Sequence, residues 1–290
     1  MIFYILIIPM LLCEVYVFKE APITSLAIFI SMLIGSSIRE ININSIKVVL
    51  TIIILFHLFS FYSIINYGYD LLPEYLHGES KHLVGINSLI QIRPSGIYAE
   101  PSTLSIHYIA ISVFIFLRKE SYKHKTLIIS LATLFSLLTF SIISLVSILI
   151  IIANYRKLLL ASIYKLIIAT GLSFFIYNFV IKFVIPKVEL YTNNGLDNYK
   201  RSELFFLMIE NIGFTPVNYT KLGVALDNGP IIYLMLFCGI YSLPLIFFIL
   251  KKSKNNTELL LLLITKISIT YPLFWLILTS NEKNKSSNSN

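Results

Sequence analysis

Charge is what this sequence has least of. Of its 290 residues 13% are charged and 57% hydrophobic, and the mean hydropathy is +0.81. Soluble domains carry roughly a quarter charged residues. A soluble fold this apolar would leave large sticky patches on its surface. Cysteine is scarce as well: Cys13 and Cys238 both fall in apolar runs, outside any CxxC or Cys/His pattern, so neither a disulfide framework nor a metal site is indicated. No Gly-rich phosphate-cradling loop is present, which argues against ATP-driven transport. There is no internal repeat. The N-terminal run MIFYILIIPMLLCEVYVF lacks a basic leading segment and a small-residue cleavage site, and reads as a retained first span rather than a signal peptide.

What is there instead is a series of apolar runs, several of them about 18 residues or more, each long enough to cross a hydrocarbon core of roughly 30 Å. Spans are expected at about Ile2–Phe18, Ile23–Ile38, Val48–Ile65, Leu104–Leu117, Leu158–Val184, Ile231–Leu250 and Leu259–Leu278. The stretch Thr126–Asn154 reads either as one helix of roughly 43 Å or as a hairpin turning near Ser141. The net charge of +8 decides between them, because its basic residues cluster between the runs. With the hairpin, short inside loops carry Arg39, Lys47, Arg118, Lys119, Lys123, Lys125, Arg156, Lys157, Lys251, Lys252 and Lys254. Short outside segments then carry only Lys19, Lys283 and Lys285. A single helix flips everything after it and erases that asymmetry, so the positive-inside bias favours the hairpin. Basic clusters placed this way are an orientation signal, and nucleic-acid binding is not expected.

The expected fold is all-α: a polytopic bundle of about nine spans with a cytoplasmic N-terminus. A single integral membrane domain covers residues 1–280 and a polar, disordered tail covers 281–290. Two long loops, 66–103 and 185–230, fall on the outer face. Loops of that length are uncommon unless functional or disordered.

The first loop ends in RPSGIYAEPST before a span begins. Pro101 fits the first helical position, where its missing N–H costs nothing. Glu100 then stands at the positive end of the helix dipole. Pro94-Ser95-Gly96 is turn chemistry that folds the chain back, bringing Arg93 toward Glu100 or a bound phosphate. A capped helix start with a headgroup-binding Arg explains the same residues. The second loop holds Lys200-Arg201, donors suited to a diphosphate, and Asp227-Asn228-Gly229 ahead of Pro230 and the next span. A solvated turn pair and an ordinary cap are the plain alternatives. Of the histidines, His77 and His82 show no clear metal spacing. His57 and His107 lie in spans, where packing is the commoner role, and His124 sits among cytoplasmic lysines. Glu14 is expected to reach the interface near the end of the first span. Lys165, Lys182 and Lys266 can snorkel. Asn218-Tyr219-Thr220 fits the glycosylation triplet.

At these residues the chain resembles a family. RPSGIYAEPS is similar to the Arg-x-Ser-Gly-x-x-x-Glu-Pro-Ser signature of bacterial O-antigen and capsule polymerases and related ligases. The order downstream resembles it too: a span, a basic loop, a hairpin with Thr139-Phe140-Ser141 near its turn, a large outer loop with Arg201, then LDNGPIIYLMLFCGIYSLPL. The resemblance covers about Gly85 to Leu245. The chain is shorter than most such polymerases. The ligase branch often carries a His in the second outer loop; Asp227 stands there here and residues 185–230 contain no His, which favours polymerase over ligase.

The resemblance implies a glycosyltransferase of the bacterial cytoplasmic membrane. It would move a growing glycan from undecaprenyl diphosphate to a sugar hydroxyl of a fresh lipid-linked repeat. Arg93 and Arg201 would stabilise the diphosphate leaving group. Glu100 or Asp227 would take the hydroxyl proton. Gly96, Tyr98, Ser102, Lys200 and Asn228 would contact substrate. No metal or other cofactor is implied. The implied partners are the undecaprenyl-diphosphate-linked oligosaccharide, membrane lipids and a chain-length regulator. A ligase-type glycosyltransferase and a polysaccharide transporter or flippase are the competing expectations.

Overall fold

The computed structural model describes residues 5–38, 41–78, 92–117, 122–150, 177–178, 180–185 and 229–286. The described residues are mostly helical, with no β-strand among them. The chain divides into two compact units, one of Met1–Glu40, Leu117–Lys119 and Asp197–Asn290, the other of Ile41–Phe116 and Glu120–Leu196.

The first unit opens with α1, Ile8–Leu12, which loosens into a π-helical turn over Cys13–Val17. Next comes α2, Ile23–Ser37, close to the expected run. The sequence places Glu14 at the interface, but it is buried. Its carboxylate accepts from the backbone N–H of Thr24 (3.2 Å) and Ser25 (2.8 Å). These are among the first N–H groups of α2, which have no partner within their own helix, and the charge also suits the dipole. The two thiols are free and buried, and Phe18 meets Phe237 edge-on at 6.0 Å.

Two expected spans in this unit are interrupted. Within Ile231–Leu250 the helix α7 covers Pro230–Cys238 and stops where Gly239 takes φ +51 and ψ −126. A 3-10 turn, Gly239–Ser242, leads into α8, Leu243–Ser253, with Pro244 in its first turn. Within Leu259–Leu278 the helix α9, Thr257–Leu263, ends early, and α10, Pro272–Ser286, begins only at Pro272. Hydroxyls hold the gap. Thr265 Oγ1 donates to the Leu262 carbonyl at 2.6 Å and accepts from the Ile267 N–H at 3.3 Å, while Ser268 Oγ accepts from the Thr270 N–H at 3.2 Å. Pro272 has no N–H with which to continue a helix through it. Beyond the apolar stretch α10 runs on to Ser286, so the tail expected to be disordered begins as helix. α2 lies directly on α10. Gly35 has no room for a side chain, since a Cβ there would stand 2.5 Å from the Pro272 carbonyl oxygen and 2.8 Å from the Leu276 nitrogen.

The second unit is built on α3, Ile43–Tyr67, whose 25 residues make it the one helix among the described residues long and apolar enough to cross a membrane. The Asn42 side chain accepts from the Asn44 N–H at its start, and Gly68 at φ +76 ends it. Much of its apolar surface is open, with Leu55 60% and Ile65 74% exposed. The helix α5, Pro101–Phe116, is buried along nearly its whole length and packs on α6, Tyr122–Leu137. Ser105 and Ser136 share a hydrogen bond between their hydroxyls at 2.8 Å. His57 of α3 hydrogen-bonds Tyr108 of α5 through Nδ1 at 3.1 Å, and its ring stacks on Phe61. After Leu137 the chain leaves the helix, with Phe140 at φ +50, and re-forms as a 3-10 turn at Ile142–Ser144. Thr126–Asn154 is therefore not one continuous helix; it breaks where the charge argument requires a turn.

Candidate functional site

Two short segments of the second unit fold back onto the side of α3. The first follows Gly68. Asp70 leads into the helix α4, Leu71–His77, and its carboxylate is fully buried. The second is Ile92–Glu100, where a turn closes through the Tyr98 N–H donating to the Ser95 carbonyl at 3.1 Å, with Gly96 at φ +62. That is the left-handed region, which glycine enters without steric penalty.

Polar groups on α3 explain why both segments rest there. Ser60 and Ser63 are three residues apart and so share one helix face. Ser60 Oγ donates to Asp70 Oδ1 at 2.8 Å and accepts from the Gly96 N–H at 2.9 Å. Asp70 Oδ2 accepts from the Ser95 N–H at 3.0 Å. Ser63 Oγ accepts from the Leu71 N–H at 3.3 Å. Ser60, Ser63, Asp70 and Ser95 are all inaccessible to solvent, so each of these bonds satisfies a group that would otherwise cost free energy to bury. Burial raises the Asp70 carboxyl above its ordinary value, against the lowering effect of the Ser95 and Ser60 hydrogen bonds. A further tie joins α4 to the turn: His77 Nε2 lies 3.1 Å from the Ile97 carbonyl. A carbonyl only accepts, so that nitrogen carries the proton.

The turn sits deep along α3. A Cβ on Gly96 would stand 3.8 Å from the His57 nitrogen and 3.9 Å from the Phe56 carbonyl carbon. At roughly 1.5 Å of rise per residue this level is about 15 Å short of the helix end at Tyr67.

Past the turn, the start of α5 has the geometry its sequence asks for. The Glu100 carbonyl accepts from the N–H groups of Thr103 (3.1 Å) and Leu104 (3.3 Å), with Pro101 opening the helix. Ser102 Oγ donates to Glu100 Oε2 at 2.7 Å, which holds the carboxylate at the helix start. His107 Nδ1 donates to the Thr103 carbonyl at 2.8 Å, and the Tyr98 ring lies 4.5 Å from the His107 ring. Arg93 is half-buried, two residues ahead of the turn.

One segment thus gathers Arg93, Gly96, Tyr98, Glu100 and Ser102 of the expected site. Lys200, Arg201, Asp227 and Asn228 lie outside the described residues. Sequence reasoning missed Asp70 and Ser60, placed Ser95 in the turn without its tie to Asp70, and gave His107 no part in the segment. The available signal was the Ser60/Ser63 pair on one face of an apolar helix, followed within a few residues by a carboxylate. No group of three or more potential metal ligands occurs among the described residues. Chemically, the segment offers a cation and a fixed carboxylate on a turn whose backbone is secured from behind.

Comparison with family models, with curated proteins and with solved structures finds no match.

Proposed function

We propose that the protein is an integral membrane glycosyltransferase that polymerises lipid-linked oligosaccharide repeat units. It is read as a bundle of about nine spans in the bacterial cytoplasmic membrane with both long loops outside. The open apolar face of Ile43–Tyr67 supports the membrane setting. The observation that carries the activity is the folded form of the Arg93–Ser102 signature, in which a half-buried guanidinium and a half-buried, Ser102-held carboxylate flank a turn buried at Pro94–Gly96.

In the reaction, a hydroxyl oxygen of the new repeat bonds to the anomeric carbon of the growing chain. The bond from that carbon to the undecaprenyl diphosphate oxygen breaks. The diphosphate departs with the electron pair, and Arg93 and Arg201 stabilise its charge; preorganised cations in a water-poor site are worth more than in water. Glu100 or Asp227 accepts the hydroxyl proton. Tyr98, Gly96, Ser102, Lys200 and Asn228 line the sugar and phosphate path.

Deleting the gene tests this directly. Loss of a polymerase leaves a single repeat on the acceptor, and Arg93→Ala and Arg201→Ala reproduce that pattern with protein still in the membrane. Chains of normal length in both variants would remove these residues from the mechanism.

A second reading, a transporter of the lipid-linked glycan, is favoured by one observation: the interruptions within 230–253 and 257–286. Transporters build midplane binding sites from broken helices. Deletion would then leave no surface glycan at all.

A further inference from the structure

We propose that Asp70 is a positioning residue for the transfer: through Ser95 and Ser60 it pins the Pro94–Gly96 turn into the flank of α3 and so fixes where Arg93 stands. The functional consequence rests on the polymerase reading; the anchor itself rests on geometry alone. Two consecutive backbone N–H groups of the turn, those of Ser95 and Gly96, point into a dry site. One bonds Asp70 Oδ2 and the other bonds Ser60 Oγ, whose own proton goes to Asp70 Oδ1. A carboxylate suits this place because both of its oxygens face donors. An amide keeps the Ser95 bond only by turning its NH2 toward Ser60 Oγ, which leaves the Ser60 hydroxyl proton without its Asp70 acceptor.

The depth of the turn makes the anchor necessary. Non-helical backbone about 15 Å short of a spanning helix's end survives only where it is buried in protein or lines a water-filled cavity, and with Ser60, Asp70 and Ser95 inaccessible to solvent the N–H groups here need protein acceptors. Asp70 and Ser60 supply them, and they do so two residues from the guanidinium. The Asp70 anchor makes the loop re-entrant, holding Arg93 below the surface where a diphosphate on a lipid anchor can meet it.

The test uses the full-length protein with Cys13 and Cys238 replaced by Ser and one cysteine introduced as Ile97→Cys. In intact cells the label is a membrane-impermeant maleimide. Asp70→Ala should raise the labelling rate roughly tenfold or more, since it removes the acceptor for two donors. Ser60→Ala should raise it less. Ser95→Ala should leave it near the parent value, because the Ser95 N–H remains and its Oγ is 3.5 Å from Asp70. In isolated membranes supplied with the strain's own lipid-linked repeat unit, Asp70→Asn should lower kcat with little change in KM at matched protein level. A smaller active fraction would also lower kcat at constant KM, so the assay is read beside the labelling of the same membranes: a misplaced turn speeds labelling of the whole population, whereas loss of folded protein adds only a fast-labelling fraction.

Unchanged labelling in Asp70→Ala overturns the anchor. If that variant does not accumulate, unchanged labelling in Ser60→Ala overturns it instead. Increased labelling together with normal glycan length in Arg93→Ala overturns the polymerase reading and leaves the anchor standing.

Discussion

Gly96 in the turn and Asp70 behind it are the two residues whose physics can be separated from their neighbours. At Gly96 nothing blocks a methyl group; the nearest atom to an added Cβ is Leu104 Cδ2 at 3.7 Å. The whole penalty of Gly96→Ala is therefore conformational, about 1 kcal/mol for a left-handed φ. A thermal melt in detergent should show a loss of about 2–4 °C. A much larger drop would mean that the turn packs more tightly than these distances indicate. Asp70 gives a pH dependence whose sign is fixed. Its folded carboxyl is raised by burial, so its stabilising contribution is complete below the unfolded value of about 3.9 and is lost as pH rises through the raised folded value. Melting temperatures of the wild type and of the non-titrating Asp70→Asn variant, measured together across pH, should show the wild type losing ground above about pH 4 and then levelling. A constant difference at every pH would mean that Asp70 keeps its ordinary titration.

At the scale of the elements, what could be read in the sequence and what could not follow the range of the forces involved. Helix α2 was expected at Ile23–Ile38 and is found at Ile23–Ser37. Pro101 opens α5 as its backbone chemistry dictates. Both depend on residues within a turn or two of each other. The break after Leu137 falls where the distribution of Lys and Arg calls for a hairpin. The interruptions at Gly239 and at 264–271 were not legible. Hydrophobicity runs through both, and what stops the helix is a positive φ in one case and a set of Ser/Thr bonds to backbone in the other. The Asp70 network was hidden because its partners lie 10 and 25 residues away. Close approach between elements is equally invisible in composition and equally testable. Gly35→Ala drives a methyl into the α10 backbone, and overpacking of this kind costs about 1–3 kcal/mol. Gly68→Ala meets nothing within 4 Å and carries only the strain of φ +76. Gly35→Ala should therefore melt lower than Gly68→Ala. The reverse order would show that α2 and α10 can part without penalty.

For the molecule as a whole, the proposed chemistry requires two cations at one diphosphate, one from each long loop. A lone guanidinium shares the developing charge poorly, whereas two that converge in a low-dielectric site each act at full strength. Convergence needs a common side of the membrane. That depends on how many times the chain crosses between residues 103 and 185, and the turn at 138–141 bears on that count. Cysteines placed singly at Arg93, at Arg201 and at Lys251, in a background free of Cys13 and Cys238, turn the requirement into a measurement. In intact spheroplasts a membrane-impermeant reagent should modify the first two, with Arg93→Cys slower because it is half-buried. Lys251→Cys should react only after the membrane is opened. If Arg201→Cys instead behaves like Lys251→Cys, the two guanidiniums face different compartments, no single leaving group can touch both, and the glycosyl-transfer mechanism fails however well the Arg93 turn is built.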